Sequence, residues 1–198
     1  TFDLQVNGYA GVDFNGDLLS GEDLDQVCEA LKKDGVGGIL ATFITDGLDV
    51  MCSRMERLVQ LRNQNLEWSK LICGIHIEGP FLNETQGYIG AHPVEHAKRS
   101  DLGEMKRLLE SAGGLTRIVT LAPERDEGFI VTRYLTEQGI CVAAGHCDPT
   151  IKQLQGSIEA GLKMFTHLGN GCPMEMNRHD NVIQRVLSQR HNLWISFI

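Results

Sequence analysis

Three side chains that can bind a divalent cation stand at the ends of apolar runs in this sequence. Glu78 closes one run, and His146 and His167 each follow a later one. Two imidazoles and a carboxylate are a standard ligand set for a catalytic zinc ion, and they leave one coordination position open for water. Such a cation acidifies its bound water and polarises a carbonyl oxygen. The residue types therefore predict a metal-dependent hydrolase.

The metal assignment has alternatives at this level. Neutral imidazole and carboxylate also accept iron, manganese or cobalt, so zinc is the first choice among several ions. Taken singly, a polar residue near a strand end more often caps or solvates the strand than binds a metal. Spacing alone does not choose His146 over His76, which lies two positions before Glu78. Three candidates at the ends of different strands nevertheless favour one shared metal site.

Apolar, β-branched runs alternate with amphipathic stretches along the chain. The runs predict seven β-strands, at residues 2–6, 36–44, 71–77, 116–121, 140–144, 162–165 and 193–198. The first amphipathic stretch is the clearest, because Ser20 and Asp23 form an N-cap signal and Gly35 stops the helix. Five further helices are predicted at about residues 50–63, 102–112, 127–138, 150–160 and 181–190.

Strict alternation of strand and helix predicts right-handed crossovers and a parallel sheet. The sequence lacks both glycine-rich phosphate-binding signatures, G-x-G-x-x-G after the first strand and G-x-x-x-x-G-K-[ST]. Polar residues gather at the strand ends, as they do at the mouth of a barrel. They are Gln5, Asn7, Thr42, Thr45, His76, Glu78, His146 and His167. We predict an α/β fold, a TIM-like (β/α)8 metal-dependent hydrolase barrel with about seven strands present and incomplete at the C-terminus.

Composition excludes several classes of function. The formal net charge of −8 argues against general nucleic-acid binding and against attraction to an anionic membrane. No apolar run approaches the roughly 20 residues that span a bilayer. The six cysteines form no C-x-x-C pair. Reduced thiols in a cytoplasmic protein are therefore expected, rather than a disulfide framework.

Four motifs, in order along the chain, resemble one enzyme family. Residues 74–83 read Gly-Ile-His-Ile-Glu-Gly-Pro-Phe-Leu-Asn, and residues 90–92 read Gly-Ala-His. Gly145-His146 is followed by Cys147, and residues 166–174 read Thr-His-Leu-Gly-Asn-Gly-Cys-Pro-Met. These segments resemble the signatures of the N-acetylglucosamine-6-phosphate deacetylases, members of the amidohydrolase superfamily. Cys147 stands where that family usually has a hydroxyl residue.

The resemblance implies roles for individual residues. The metal ligands would be Glu78, His146 and His167, and this choice resolves the ambiguity with His76. The implied substrate contacts are Ala91, His92, Asn170, Gly171 and Arg178. Arg178 lies eleven residues after His167, where the family carries an arginine for the sugar phosphate. A guanidinium suits a phosphate because its fork donates two parallel hydrogen bonds.

One metal ion is expected rather than two. In many amidohydrolases the first strand ends in H-x-H and holds a second metal, whereas here Gln5 and Asn7 occupy those two positions. Amide side chains are poor ligands for borderline cations, so the second-metal positions are predicted to be lost. A strand-end hydrogen-bonding role for Gln5 and Asn7 is compatible with this.

The resemblance also implies parts that these 198 residues lack. The aspartate that acts as general base and acid is expected beyond Ile198, and so no catalytic proton-transfer residue is assigned within residues 1–198. The small β-sandwich domain that flanks the barrel in relatives is expected to be absent as well. The chain is thus predicted to be a partial catalytic (β/α) barrel, inactive by itself, from a protein that forms a homodimer.

The function implied is hydrolysis of the N-acetyl amide of N-acetylglucosamine 6-phosphate, which yields glucosamine 6-phosphate and acetate in amino sugar catabolism. Two alternatives remain open. One is an amidohydrolase that acts on another N-acyl or cyclic amide, with the metal but without the phosphate contact. The other is a metal-free sugar-binding relative that has lost catalysis.

Overall fold

The computed structural model describes residues 1–198, which form nine β-strands and seven α-helices. The strands are β1 (Phe2–Val6), β2 (Gly8–Tyr9), β3 (Val12–Asp13), β4 (Gly38–Ile44), β5 (Ile72–Glu78), β6 (Thr116–Leu121), β7 (Cys141–Ala144), β8 (Met164–Phe165) and β9 (Trp194–Ile195). The helices are α1 (Gly21–Lys33), α2 (Leu48–Arg62), α3 (Leu66–Leu71), α4 (Leu102–Ser111), α5 (Ile130–Glu137), α6 (Ile151–Glu159) and α7 (Val182–Ser188). None of the helices is long and apolar enough to cross a membrane.

Seven of the nine strands form one sheet, in the order β1-β4-β5-β6-β7-β8-β9. Strand pairs along it, such as β4 with β5 and β7 with β8, are parallel. The order along the sheet is the order along the chain. A doubly wound sheet would reverse direction at a switch point, whereas a (β/α) barrel adds each strand beside the preceding one. The predicted fold class, α/β with barrel topology, is therefore confirmed.

The chain divides into two compact units. The first comprises Thr1–Glu78 and Lys106–Arg117, and the second comprises Gly79–Met105 and Ile118–Ile198. Each unit has its own apolar core. Glu78 is the last residue of β5 and also ends the segment Thr1–Glu78 of the first unit.

In the first unit, β4 supplies the centre of the core. Its first six residues are all buried, as expected of a parallel strand covered on both faces. Helix α1 buries one stripe, made by Leu24, Val27 and Leu31. The predicted start of this helix is confirmed, because Ser20 Oγ accepts a hydrogen bond from the Asp23 backbone at 3.2 Å and Asp23 Oδ2 accepts one from the Ser20 backbone at 2.8 Å.

In the second unit, β7 and the two helices that flank it in sequence bury their apolar faces. Val131 and Leu135 of α5 and Leu154 of α6 are at most 1 % exposed. Helix α5 begins at Ile130, three residues later than predicted, because Phe129 adopts a left-handed backbone with φ of 56°. The Asp126 carboxylate caps the start of this helix, since it accepts hydrogen bonds from the backbone N–H groups of residues 131 and 132.

Three elements were not predicted. Strands β2 and β3 pair antiparallel over two residues each, too short for a period-2 pattern to appear in the sequence. Helix α3 spans six residues between α2 and β5, and the Asn65 side chain caps it by accepting from the Glu67 backbone at 2.9 Å. A helix this short carries little periodic signal, and it lies in a gap left between a predicted helix and a predicted strand.

The capping box of α1 gives a test of the fold. The Ser20→Ala substitution removes the side-chain acceptor for an otherwise unpaired N–H of the first turn. We expect the free energy of unfolding, measured by urea denaturation, to fall by about 1 kcal/mol. Ser53→Ala, on the exposed face of α2, is the matched control and should change stability by less than about 0.5 kcal/mol. Equal effects of both substitutions would contradict the capping role.

Candidate metal centre

Glu78, the predicted carboxylate ligand, is buried at the end of β5 with 2 % exposure. Gln5 of β1 donates a hydrogen bond from Nε2 to Glu78 Oε2 at 3.0 Å. A buried carboxylate needs such a donor or a cation, because desolvation of an unpaired charge is costly. Gln5, predicted as a lost second-metal position, thus acts as a hydrogen-bond donor to the predicted ligand. Asn7, the other such position, is exposed.

His146 lies in the loop after β7 and is 6 % exposed. Its backbone is left-handed, with φ of 49°. Its Nδ1 is 2.8 Å from the backbone oxygen of Tyr88. A carbonyl oxygen only accepts hydrogen bonds, so Nδ1 carries the proton and Nε2 keeps its lone pair. This is the tautomer that a metal-binding histidine needs, oriented by a backbone carbonyl in the usual way.

Three buried histidines of the second unit lie together. The ring centroids of His92 and His146 are 4.3 Å apart, and those of His146 and His167 are 4.9 Å apart. Both pairs meet edge to face, with interplanar angles of 67° and 68°. His167, like His146, has a left-handed backbone, with φ of 34°. The structure therefore brings His146 into contact with both of its predicted neighbours in the site.

The candidate ligands are all buried: Glu78 in the first unit, and His92, His146 and His167 in the second. Carboxylates and imidazoles are donors that suit zinc and other borderline divalent cations, so the chemistry of these residues fits a metal ion.

His76, which was the alternative to His146 as a predicted metal ligand, contacts the backbone of β1. Its Nδ1 is 3.1 Å from the backbone oxygen of Leu4, and the side chain is 1 % exposed. The first unit therefore uses this histidine to connect β5 to β1.

The predicted substrate residues differ in their placement. His92 is buried beside His146, whereas Ala91 and Asn170 are exposed. Gly171 packs on the His146 ring so closely that an added Cβ would lie 2.8 Å from Nδ1. Arg178 is exposed, and its backbone oxygen accepts a hydrogen bond from the Gln184 side chain at 2.7 Å.

A buried carboxylate, Glu124, was not among the predicted site residues. Its Oε1 accepts hydrogen bonds from Asn83 Nδ2 at 2.9 Å and from the Asp148 backbone at 2.6 Å. Desolvation raises the pKa of Glu124, and these hydrogen bonds oppose the rise. The signal was present in the sequence, because Glu124 follows the end of β6 by three residues, a position comparable to those of the predicted site residues.

The cysteines near the site have the structural character expected of them. All six cysteines of the chain are free thiols. Cys147 is 1 % exposed, and burial raises the pKa of its thiol well above the usual range. Cys172 is half-buried, and its Sγ donates to the Gly169 backbone oxygen at 3.2 Å. Neither is a thiolate at neutral pH, so both thiols lack the reactive form.

The fold and the site together define a class: a parallel β/α protein of barrel topology with a candidate metal centre at its strand ends. Comparison with known proteins narrows this class. N-acetylglucosamine-6-phosphate deacetylase of Bacillus subtilis (strain 168) is 34 % identical over 94 % of this chain and 46 % of that protein. N-acetylgalactosamine-6-phosphate deacetylase of Escherichia coli O157:H7 is 29 % identical over 99 % of this chain and 50 % of that protein. No protein-family model matches.

Solved structures agree with the sequence relatives. The structure of a variant N-acetyl-D-glucosamine-6-phosphate deacetylase from Mycobacterium smegmatis, in complex with N-acetyl-D-glucosamine-6-phosphate, superposes with a TM-score of 0.85 and 26 % identity. The match covers 99 % of this chain and 49 % of that one. The resemblance to N-acetylglucosamine-6-phosphate deacetylases is therefore confirmed over almost the whole chain. The chain spans about half the length of the relatives it matches.

Gly145, directly before His146, gives a test of the packing at the site. An added Cβ would lie 2.6 Å from Thr166 Cγ2 and 2.8 Å from Thr120 Cγ2. We expect Gly145→Ala to lower the free energy of unfolding by about 1–3 kcal/mol, the usual cost of overpacking. Gly37→Ala is the matched control, because an added Cβ there meets only the Thr1 backbone oxygen at an ordinary 3.5 Å. A destabilisation by Gly145→Ala no larger than the control would contradict this packing.

Proposed function

We propose that the protein carrying this chain hydrolyses the N-acetyl amide of an N-acetylhexosamine 6-phosphate, with N-acetylglucosamine 6-phosphate as the first choice. The products are acetate and the amino sugar phosphate. The observation that carries the proposal is the cluster of three buried histidines in the second unit, where the ring centroid of His146 lies 4.3 Å from that of His92 and 4.9 Å from that of His167. Relatives with matching names support the substrate class.

The metal ligands on this proposal are Glu78, His146 and His167. The resemblance in sequence supports His167, and its ring contact with His146 is compatible with a shared ion. His92 is then the third imidazole of the site, and we assign it to the substrate. A bound divalent cation, with zinc as the first choice, supplies an acidified water and a polarised carbonyl oxygen.

The side chains of the site have distinct tasks on this proposal. Gln5 holds Glu78 through its 3.0 Å hydrogen bond, and the Tyr88 carbonyl holds His146 Nδ1. His92 donates a hydrogen bond to the acetamido oxygen as negative charge develops there, and a preorganised buried donor is worth several kcal/mol in such a position. Burial of the site excludes bulk water from the reacting amide. Proton transfer to the amine is not assigned to a residue of this chain.

Asn170, Gly171 and Ala91 are proposed to line the sugar, and Arg178 to bind its phosphate. The exposure of Arg178 is compatible with an anion that arrives from solvent. N-acetylgalactosamine 6-phosphate is a second candidate substrate, since a relative that is 29 % identical to this chain is named as a deacetylase of that sugar phosphate. We further propose that the chain forms part of one catalytic barrel, in a homodimeric cytoplasmic protein with one metal ion per site.

Metal content tests the ligand set. We expect one zinc ion per chain after zinc loading, measured by elemental analysis of the gel-filtered protein. Single substitutions of His146 or His167 by Ala should reduce this ratio to near zero, because each removes a ligand. His92→Ala should retain the metal, as should the matched control His179→Ala at an exposed position.

Two outcomes would change the assignment. Loss of zinc in His92→Ala together with retention in His167→Ala would replace His167 by His92 in the ligand set. A well-folded protein that binds no zinc, even when it is supplied in excess, would favour the sugar-binding alternative without catalysis.

Acetate release by the protein that carries this chain tests the substrate. We expect hydrolysis of N-acetylglucosamine 6-phosphate to stop when a chelator removes the metal and to return with zinc. Arg178→Gln should lower kcat/KM for the phosphorylated sugar about tenfold or more, because a charge-assisted contact contributes about 1.5–3 kcal/mol. Arg190→Gln, also at an exposed position, is the control. Equal rates on N-acetylglucosamine with and without its phosphate would refute the phosphate contact.

A further inference from the structure

Arg185 of α7 binds two carboxylates at once. Its Nε donates to Asp180 Oδ1 at 2.6 Å, and its Nη1 donates to Asp148 Oδ1 at 2.8 Å. The Arg185 side chain is only 17 % exposed. Because a guanidinium is planar and offers its donors in fixed directions, it can bind both carboxylates in one position. The charge of Asp180 is therefore paired with a cation that the fold holds in place.

Arg178 lies two residues before Asp180, and its guanidinium belongs to no ion pair. Two residues of extended backbone span at most about 7 Å, so the Asp180 carboxylate could also reach this guanidinium. The salt bridge of Asp180 nevertheless goes to Arg185, five residues further along the chain. Arg178 makes its hydrogen bond through the backbone oxygen, which accepts from Gln184 Nε2 at 2.7 Å. The charged end of this exposed side chain is thus left for an anion from solvent.

The backbone around Arg178 is held by the side chains of its neighbours. Asn177 Oδ1 accepts hydrogen bonds from the backbone N–H groups of His179 at 2.9 Å and of Asp180 at 3.1 Å. The Asn177 backbone oxygen accepts one from Asn181 Nδ2 at 2.7 Å. These bonds enclose Arg178 in one turn. A segment that is ordered before its ligand arrives loses less conformational entropy on binding.

The Asp180 carboxylate would act differently without its contact to Arg185. An exposed carboxylate beside a guanidinium forms an ion pair of modest strength. Such a pair would compete with a phosphate group for the donors of Arg178. The carboxylate would also repel the phosphate by its own negative charge. Loss of the Arg185 contact would therefore weaken phosphate binding, although Arg185 itself does not contact the phosphate.

We propose that Arg185 is a specificity-determining residue, which binds Asp180 and so keeps the Arg178 guanidinium available for the 6-phosphate of the substrate. The inference rests on the proposed function, in which Arg178 binds that phosphate. Arg185 is a positioning residue, because its Nε and Nη1 donate to oxygen atoms of the protein itself. The phosphate contact thus needs one arginine that binds the anion and a second arginine that removes a competitor.

Steady-state kinetics of the full-length protein on N-acetylglucosamine 6-phosphate test the inference. Arg185→Gln should raise KM about fivefold, the effect of one exposed ion pair, and leave kcat within twofold. Both constants for unphosphorylated N-acetylglucosamine should stay within twofold of the wild-type values. Adding Asp180→Asn to Arg185→Gln should return KM for the phosphorylated sugar to within twofold of the wild-type value, because the competing carboxylate is then gone.

Further variants separate this effect from a general loss of structure. Glu175 is a second exposed acid of the same loop, three residues before Arg178. Glu175→Gln in the Arg185→Gln protein is the matched control, and KM should stay raised, because Arg185 does not bind Glu175. Asp180→Asn alone should leave KM within twofold of the wild-type value. Should Arg185→Gln fail to fold, Arg185→Met replaces it, since methionine keeps a long unbranched side chain and removes the charge.

The inference and the proposed function fail in different ways. If the protein releases no acetate, or if Arg178→Gln leaves KM for the phosphorylated sugar unchanged, the phosphate contact is wrong and the inference falls with it. If Arg178→Gln raises KM and Arg185→Gln does not, the inference alone is overturned. It is also overturned if Asp180→Asn fails to restore KM in the Arg185→Gln protein, or if Glu175→Gln restores it equally well.

Discussion

Parallel strands place their carboxyl ends on one edge of a sheet, and the predicted ligands depend on that constraint. Strands β5 to β8 are consecutive in the sheet. Glu78 ends the first of them, and Glu124, His146 and His167 follow the next three. Each strand therefore delivers one titratable side chain to the same edge. Because sheet order equals chain order, successive motifs along the sequence supply successive positions of the site.

Burial of these groups has a cost that the hydrogen bonds offset. Carboxylates and imidazoles lose hydration in the interior, and each requires a partner there. Gln5 donates a hydrogen bond to Glu78, and Asn83 donates one to Glu124. The Tyr88 carbonyl is the hydrogen-bond partner of His146 Nδ1. Most of these partners are main-chain groups or neutral amides. They add no net charge to the site.

Strands and long helices could be predicted because apolar periodicity and capping residues act locally. Ser20 with Asp23 is an example, as both lie within one helical turn. The contacts of Glu124 could not be predicted, because its partner Asn83 is 41 positions away and neither residue belongs to a periodic pattern. The gathering of His146 with His92 and His167 was foreseen from motifs. Which of these two histidines could bind an ion together with His146 depends on side-chain rotation, which no sequence pattern encodes.

The left-handed backbone at His146 and His167 limits which residue types can occupy these two positions. This limit is independent of any ligand role of the imidazoles. Glycine enters this region at little cost, asparagine, aspartate and histidine enter it more readily than other residues, and β-branched residues are the most strained there. A descendant that lost these histidines would still meet this backbone demand. We expect it to carry Asn, Asp or Gly at both positions rather than Val, Ile or Thr. The residues that the loop geometry permits would thus mark such a relative after the imidazoles have gone.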